Sequence, residues 1–151
     1  VTSAKPRKAT GKIGCNGSTT HEGPRRKFSH RLSRGDPATE TFYKQQGGPK
    51  EHWSTPTPVY AEVLVGVGNL PDGDVEQAID ALAWVDVVDV DRRHSIEAAR
   101  IADEIGPERP FLDGIDAIVA AVSRDLDGTV VSIDSGLTHP ATKTVVDVEA
   151  Y

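Results

Sequence analysis

At 151 residues, with 37% apolar residues and a net charge of −6, the chain can build one ordinary domain around a single core. No apolar run is long enough to cross a bilayer, and the basic start from Val1 to Lys8 lacks the apolar stretch of a secretory signal. A single cysteine, Cys15, excludes an internal disulfide and a Cys-x-x-Cys zinc site, so a cytoplasmic protein with no membrane role is expected.

Charge is unevenly spread. Residues 1–57 hold 11 of the 17 Lys and Arg and 4 of the 23 acids, giving +7, whereas residues 58–151 stand at −13. The acidic part is rich in Asp, Val and Ala, a composition resembling proteins of salt-loving microbes. Residues 1–34 show neither helical nor alternating apolar spacing and read as a disordered basic segment. Its runs, such as Arg25, Arg26 and Lys27, suit contact with phosphates or simple solvation.

Order is expected from residue 35 to residue 151. Asp36 and Pro37 give an N-cap and a first-turn proline, residues 38–45 continue as a helix, and Gly47 with Gly48 stops it. A short extended piece around His52 and Trp53 precedes a helix that opens near Thr55 or Thr57 and runs to Val67. Residues 75–83 form a helix with Ile79 and Leu82 inward, and residues 85–90 form a β-branched strand. A helix over 93–105 turns Ile96, Ala99 and Ile101 inward, and another over 113–126 carries an apolar stripe. Strands are expected at 129–133 and 144–148. Trp84 reads as core, and His94 as a surface residue. Strands alternating with helices specify an α/β fold, a parallel sheet covered on both faces.

Several carboxylates stand out against this frame. Glu62 has Pro58, Val59, Val65 and Gly66 as its helical neighbours, so it either reaches out to water or meets a partner. Asp113 and Asp116 project from one side of a helix start, where Asp113 suits an N-cap better than a ligand. Asp134 follows a strand, where the ligand crevice of a parallel sheet lies, although Asp134, Ser135 and Gly136 also compose an ordinary turn. Pleat alternation puts Val130, Ser132 and Asp134 on one face. Three acids on three elements suit a hard divalent cation, Mg²⁺ or Mn²⁺, able to activate water and offset phosphodiester charge.

The blocks Tyr60-Ala61-Glu62-Val63-Leu64-Val65-Gly66, Asp116-Ala117-Ile118-Val119-Ala120-Ala121 and Val130-Val131-Ser132-Ile133-Asp134 resemble the PIN domain, and more narrowly VapC-type toxins of toxin–antitoxin modules. The resemblance implies a three-layer α/β/α fold with strand order 3-2-1-4-5 and Mg²⁺- or Mn²⁺-dependent endoribonuclease activity on RNA. It also implies a cognate antitoxin and a homodimer. Glu62, Asp116 and Asp134 carry over as catalytic metal-site acids, with Ser132 and Asp113 in support. One departure is large. The family opens with an apolar strand ending in Asp, and residues 25–34 offer neither that strand nor an acid. The central strand is therefore expected to be absent or degenerate. Gly11 to Cys15 is a poor substitute, with two glycines and a lysine. A shifted reading frame over residues 1–34 accounts for both the missing strand and the change in charge. Two other functions remain open: a non-catalytic remnant that binds a partner protein, and RNA binding through the basic arm.

Overall fold

A computed structural model describes residues 12–14, 37–107 and 112–151. Five strands form one sheet, every pair parallel. They are β1 (Lys12–Gly14), β2 (Trp53–Pro56), β3 (Asp86–Val88), β4 (Thr129–Ser132) and β5 (Val148–Ala150), in the order β3-β2-β1-β4-β5. The helices among the described residues are α1 (Pro37–Gln45), α2 (Thr57–Gly68), α3 (Val75–Ala81), α4 (Arg92–Ile105) and α5 (Gly114–Asp125).

The expectation of an absent central strand is corrected. Lys12–Gly14 occupies that position, with Lys12 beside Trp53 on one flank and beside Thr129 on the other. Three residues suffice because β2 and β4 present parallel edges on both sides, and backbone pairing asks little of side-chain type when position is imposed from outside. Asp36, the cations at residues 25–27 and Cys15 lie outside the described residues.

Pleating of β4 divides the core. Val130 packs with Val59 of α2 and Val119 and Val122 of α5. Val131, one residue on, packs with Trp53 against Phe42 and Tyr43 of α1 and against Tyr151. Helices therefore cover both faces, giving three layers. Outside α5 lies α4, whose Ala98 and Ile101 meet Ala117, Ala120 and Ala121. Small residues there let the two helix backbones approach closely.

Helix α1 begins at Pro37 and ends where Gly47 and Gly48 take φ of 96° and 56°, values that L-residues with a Cβ resist. Helix α4 starts one residue earlier than its apolar pattern suggests, because Asp91 caps it: Asp91 Oδ1 accepts from the amides of Arg93 (2.8 Å) and His94 (3.1 Å). In return His94 Nδ1 accepts from the Asp91 amide at 3.1 Å. That reciprocal bond draws His94 inside, 6% exposed, so it is not the surface residue its sequence suggests. Its helix consequently turns Ile96 outward, 40% exposed. Trp84 is also displaced from the expected core. It lies 38% exposed at the turn after α3, its ring 5.1 Å from that of Tyr43, its indole donating to Ala81 O. The last strand begins four residues later than expected. Residues 142–144 close a 3₁₀ turn, and the amides of Val145 and Val146 donate to Thr142 O, which withdraws them from the sheet.

Candidate metal centre

Strand polarity decides where the acids go. Strand β4 ends at Ser132, and the chain leaves the sheet there toward Asp134. Helix α5 runs back before β4, so its N-terminus stands over the same rim, and α2 departs from that rim directly after β2.

Asp113 caps α5. Its Oδ1 accepts from the amides of Ile115 and Asp116, each at 2.9 Å. Capping is therefore the role the structure gives Asp113, and through it the backbone of Asp116 is fixed. Asp116, in the first turn of α5, is 4% exposed. The helix N-terminus supplies partial positive charge that favours an ionised carboxylate there.

Asp134 is held from two directions. Its amide donates to Ser132 Oγ at 2.9 Å, and Ser132 is fully buried. Its Oδ1 accepts from the Gly136 amide at 2.7 Å, so the turn suggested by Asp-Ser-Gly is present. The Asp134 carbonyl accepts from the amide of Thr138 (2.9 Å) and from its hydroxyl (2.7 Å). One turn further, Thr142 Oγ1 donates to Gly136 O at 2.7 Å in a buried setting. The loop carrying Asp134 is thus rigidly tied.

Asp116 and Asp134 converge over Gly136. A Cβ built on that glycine would stand 3.2 Å from Asp134 Oδ1 and 3.6 Å from Asp116 Oδ2. The two carboxylates share the space that a side chain would fill, and Gly136 leaves it open. Sequence reasoning missed this residue; its signal was the same tripeptide, read only as a turn. Glu62 lies half-buried on α2, between the buried Val59 and Val63. Among the described residues no group of three His, Cys, Asp or Glu stands close enough together to hold one ion. Asp116 and Asp134 are therefore brought together, and Glu62 is not drawn into the same direct cluster. Two hard oxygen donors facing one small space do fit Mg²⁺ or Mn²⁺, cations that keep part of their water shell.

One neighbouring element contributes no acid. Gly14, the last residue of β1, pairs with Val131, so β1 leaves the sheet beside β4. No Asp or Glu occurs between Gly14 and Glu22.

The family model described as the PIN domain matches residues 28–143. The chain belongs to the PIN-domain family. As a PIN-domain protein it is structurally similar to VapC toxins of VapBC toxin–antitoxin complexes. The VapBC2 complex from Rickettsia felis, bound to a DNA fragment from its promoter, gives a TM-score of 0.65 at 13% identity, over 82% of this chain and 92% of that one. A toxin–antitoxin complex from Klebsiella pneumoniae gives 0.63 at 11% identity, over 87% and 94%. DNA-bound VapBC from Salmonella typhimurium gives 0.59 at 11% identity, over 93% and 97%. Identities this low establish the fold alone. No curated protein matches the sequence.

Proposed function

We propose that this PIN-domain protein is a metal-dependent endoribonuclease of the toxin type, with Asp116 and Asp134 holding Mg²⁺ or Mn²⁺ and Glu62 as the third carboxylate of that rim. The observation that carries the reading is the convergence of two acids, on separate elements, over the open space at Gly136. Bound there, the cation would lower the pKa of a coordinated water and offset charge on a phosphodiester. Ser132 and the turn amides orient Asp134, and Asp113 sets the first turn of α5 on which Asp116 sits.

The test is purified full-length chain on RNA with Mg²⁺ or Mn²⁺, beside Asp116→Asn and Gly136→Ala. The first variant removes a charge, and the second puts a methyl between the carboxylates without touching either. Metal-dependent cleavage that both variants suppress is the expected result. Equal cleavage by all three proteins would expose a contaminating nuclease and end this reading.

A second reading rests on β1, which leaves the sheet without an acid. In that reading the chain is a non-catalytic PIN protein that binds an antitoxin or a second copy of itself. It predicts no cleavage by the intact chain, together with co-purification of a small partner encoded beside it. Residues 1–34 are then the product of a shifted reading frame, a proposal that the upstream DNA tests directly. Another frame should encode a short apolar strand ending in Asp just before the codons for Gly35 and Asp36, and its absence from both other frames refutes the idea.

A further inference from the structure

At the far end of α5 from the acid pair, α4 and α5 enclose a cavity of about 410 Å³. Arg124, on its wall, lies roughly 12 Å along the helix axis from Asp116, at 1.5 Å per residue. The cavity concentrates scarce charge. Of the six Lys and Arg in residues 58–151, three, Arg93, Arg100 and Arg124, line this one space, although the stretch as a whole stands at −13. Ile96 and Ala121 supply an apolar wall.

The guanidinium groups are not equally engaged. Arg124 is held by Glu97 at 2.9 Å and Glu104 at 2.8 Å, and Arg93 by Asp91 at 3.1 Å. Arg100 reaches Glu97 only at 3.4 Å and is 69% exposed, so its fork can turn to another anion. Two carboxylates, Glu97 and Asp125, also face the cavity, leaving its wall net positive by one charge.

A second observation comes from His94. Its Nδ1 accepts from the Asp91 amide, so the neutral ring carries its proton on Nε2. Nε2 is buried and makes no hydrogen bond among the described residues; Asp125 Oδ2, the nearest acceptor, stands 3.4 Å away. A buried donor held at a cavity wall without a well-placed acceptor costs stability unless something accepts from it.

We propose that this cavity binds a small phosphate monoester with an apolar or planar body, the mononucleotide class. The volume lies within the usual range for small-ligand sites. Guanidinium forks match phosphate oxygens, His94 Nε2–H donates to an acceptor on the ligand, and Ile96 and Ala121 pack on its body. Glu97 and Asp125 repel an anion placed wrongly, so they favour one orientation. This site is separate from the acid pair and independent of the nuclease reading.

The test titrates the full chain with AMP at low ionic strength, read by calorimetry and by the His94 ring resonances in NMR. Inorganic phosphate and adenosine form the other arms. AMP should saturate and shift the His94 signals, with phosphate and adenosine each at least about tenfold weaker. Arg100→Gln should weaken AMP about fivefold, and Ile96→Asp should remove binding. Both positions are exposed, so both variants should fold. Asp116→Asn should leave AMP affinity unchanged. The proposal is overturned if AMP does not saturate, if adenosine or phosphate binds as well as AMP, or if neither cavity variant matters. Loss of AMP binding in Asp116→Asn would move the ligand to the acid pair and overturn it equally.

Discussion

The two inner strands β1 and β4 lie side by side and are built from unlike material. Strand β4 is Thr-Val-Val-Ser, with Val130, Val131 and Ser132 fully buried. Strand β1 is Lys-Ile-Gly. One is a strand because its side chains fill two core clusters. The other is a strand because parallel edges flank it on both sides. The contrast extends to chemistry, since β4 runs on into Ser132 and Asp134 whereas β1 runs on to Cys15 and Asn16. A fold can thus impose a strand on an unpromising segment, but it cannot supply a carboxylate that the segment lacks.

Deleting residues 1–34 should break the comparison most severely. Strands β2 and β4 would each lose a ladder partner, at about 1–3 kcal/mol for every backbone group left buried and unpaired. A handful of such groups rivals a whole domain's stability of about 5–15 kcal/mol. The expected outcome is loss of a cooperative thermal transition, followed by circular dichroism. If the truncated chain melts within about 3 °C of the full one, β1 is not holding the sheet together.

Next in size is the chemistry at the end of β4. Asp116→Asn and Asp134→Asn should each weaken Mn²⁺ binding, measured by calorimetry, by about 100-fold or more, and Ser132→Ala by about tenfold, since it only orients Asp134. If Ser132→Ala instead matched the Asp variants, the hydroxyl would be a ligand and not a support.

Much of this rim was legible in advance, and the reasons are local. Asp116 bordered an apolar stripe of helical period, and Asp134 followed a β-branched run, so each was fixed to a defined end of a defined element. Helix α1 was bounded by a proline and two glycines with positive φ. What could not be read depended on contacts distant in sequence or on unusual caps. His94 is buried because histidine fills the capping-box position usually held by Glu or Gln, and that one bond inverts the exposure of both His94 and Ile96. Trp84 stacks on Tyr43, forty-one residues away, at the surface. The space at Gly136 exists only once α5 and the β4 loop are in place.

Between the sheet and the outer helix, Arg124 provides a third test. It bonds Glu97 and Glu104 of α4 and the carbonyl of Val145 at 3.0 Å, joining α4, α5 and the turn before β5. Its guanidinium pulls both glutamates below the usual carboxylate range. Arg124→Leu should cost on the order of 2 kcal/mol, a drop of several degrees in Tm, because the Val145 carbonyl loses a charged donor. RNA cleavage should be unaffected. A fall in activity with unchanged Tm would mean that Arg124 reaches the rim by a route absent from these contacts.

The smallest effect expected is at the start of α4, and it has a pH signature. Arg93 and the His94 amide lower the Asp91 carboxyl from an ordinary 3.8 to about 2. A carboxylate depressed on folding stabilises the native state above its unfolded value, and the benefit fades as pH falls through the folded one. Asp91 should therefore support α4 fully at neutral pH, begin to lose that contribution near 3.8, and have none below about 2. Asp91→Asn keeps an oxygen able to cap the helix but removes the ionisation. Acid titration of helix content should then show a shallower decline in Asp91→Asn across that window, with little change at pH 7. Identical acid limbs would assign the low-pH loss elsewhere. The remaining candidates are Glu97 and Glu104, whose depression by Arg124 has the same sign and which the Arg124→Leu variant isolates.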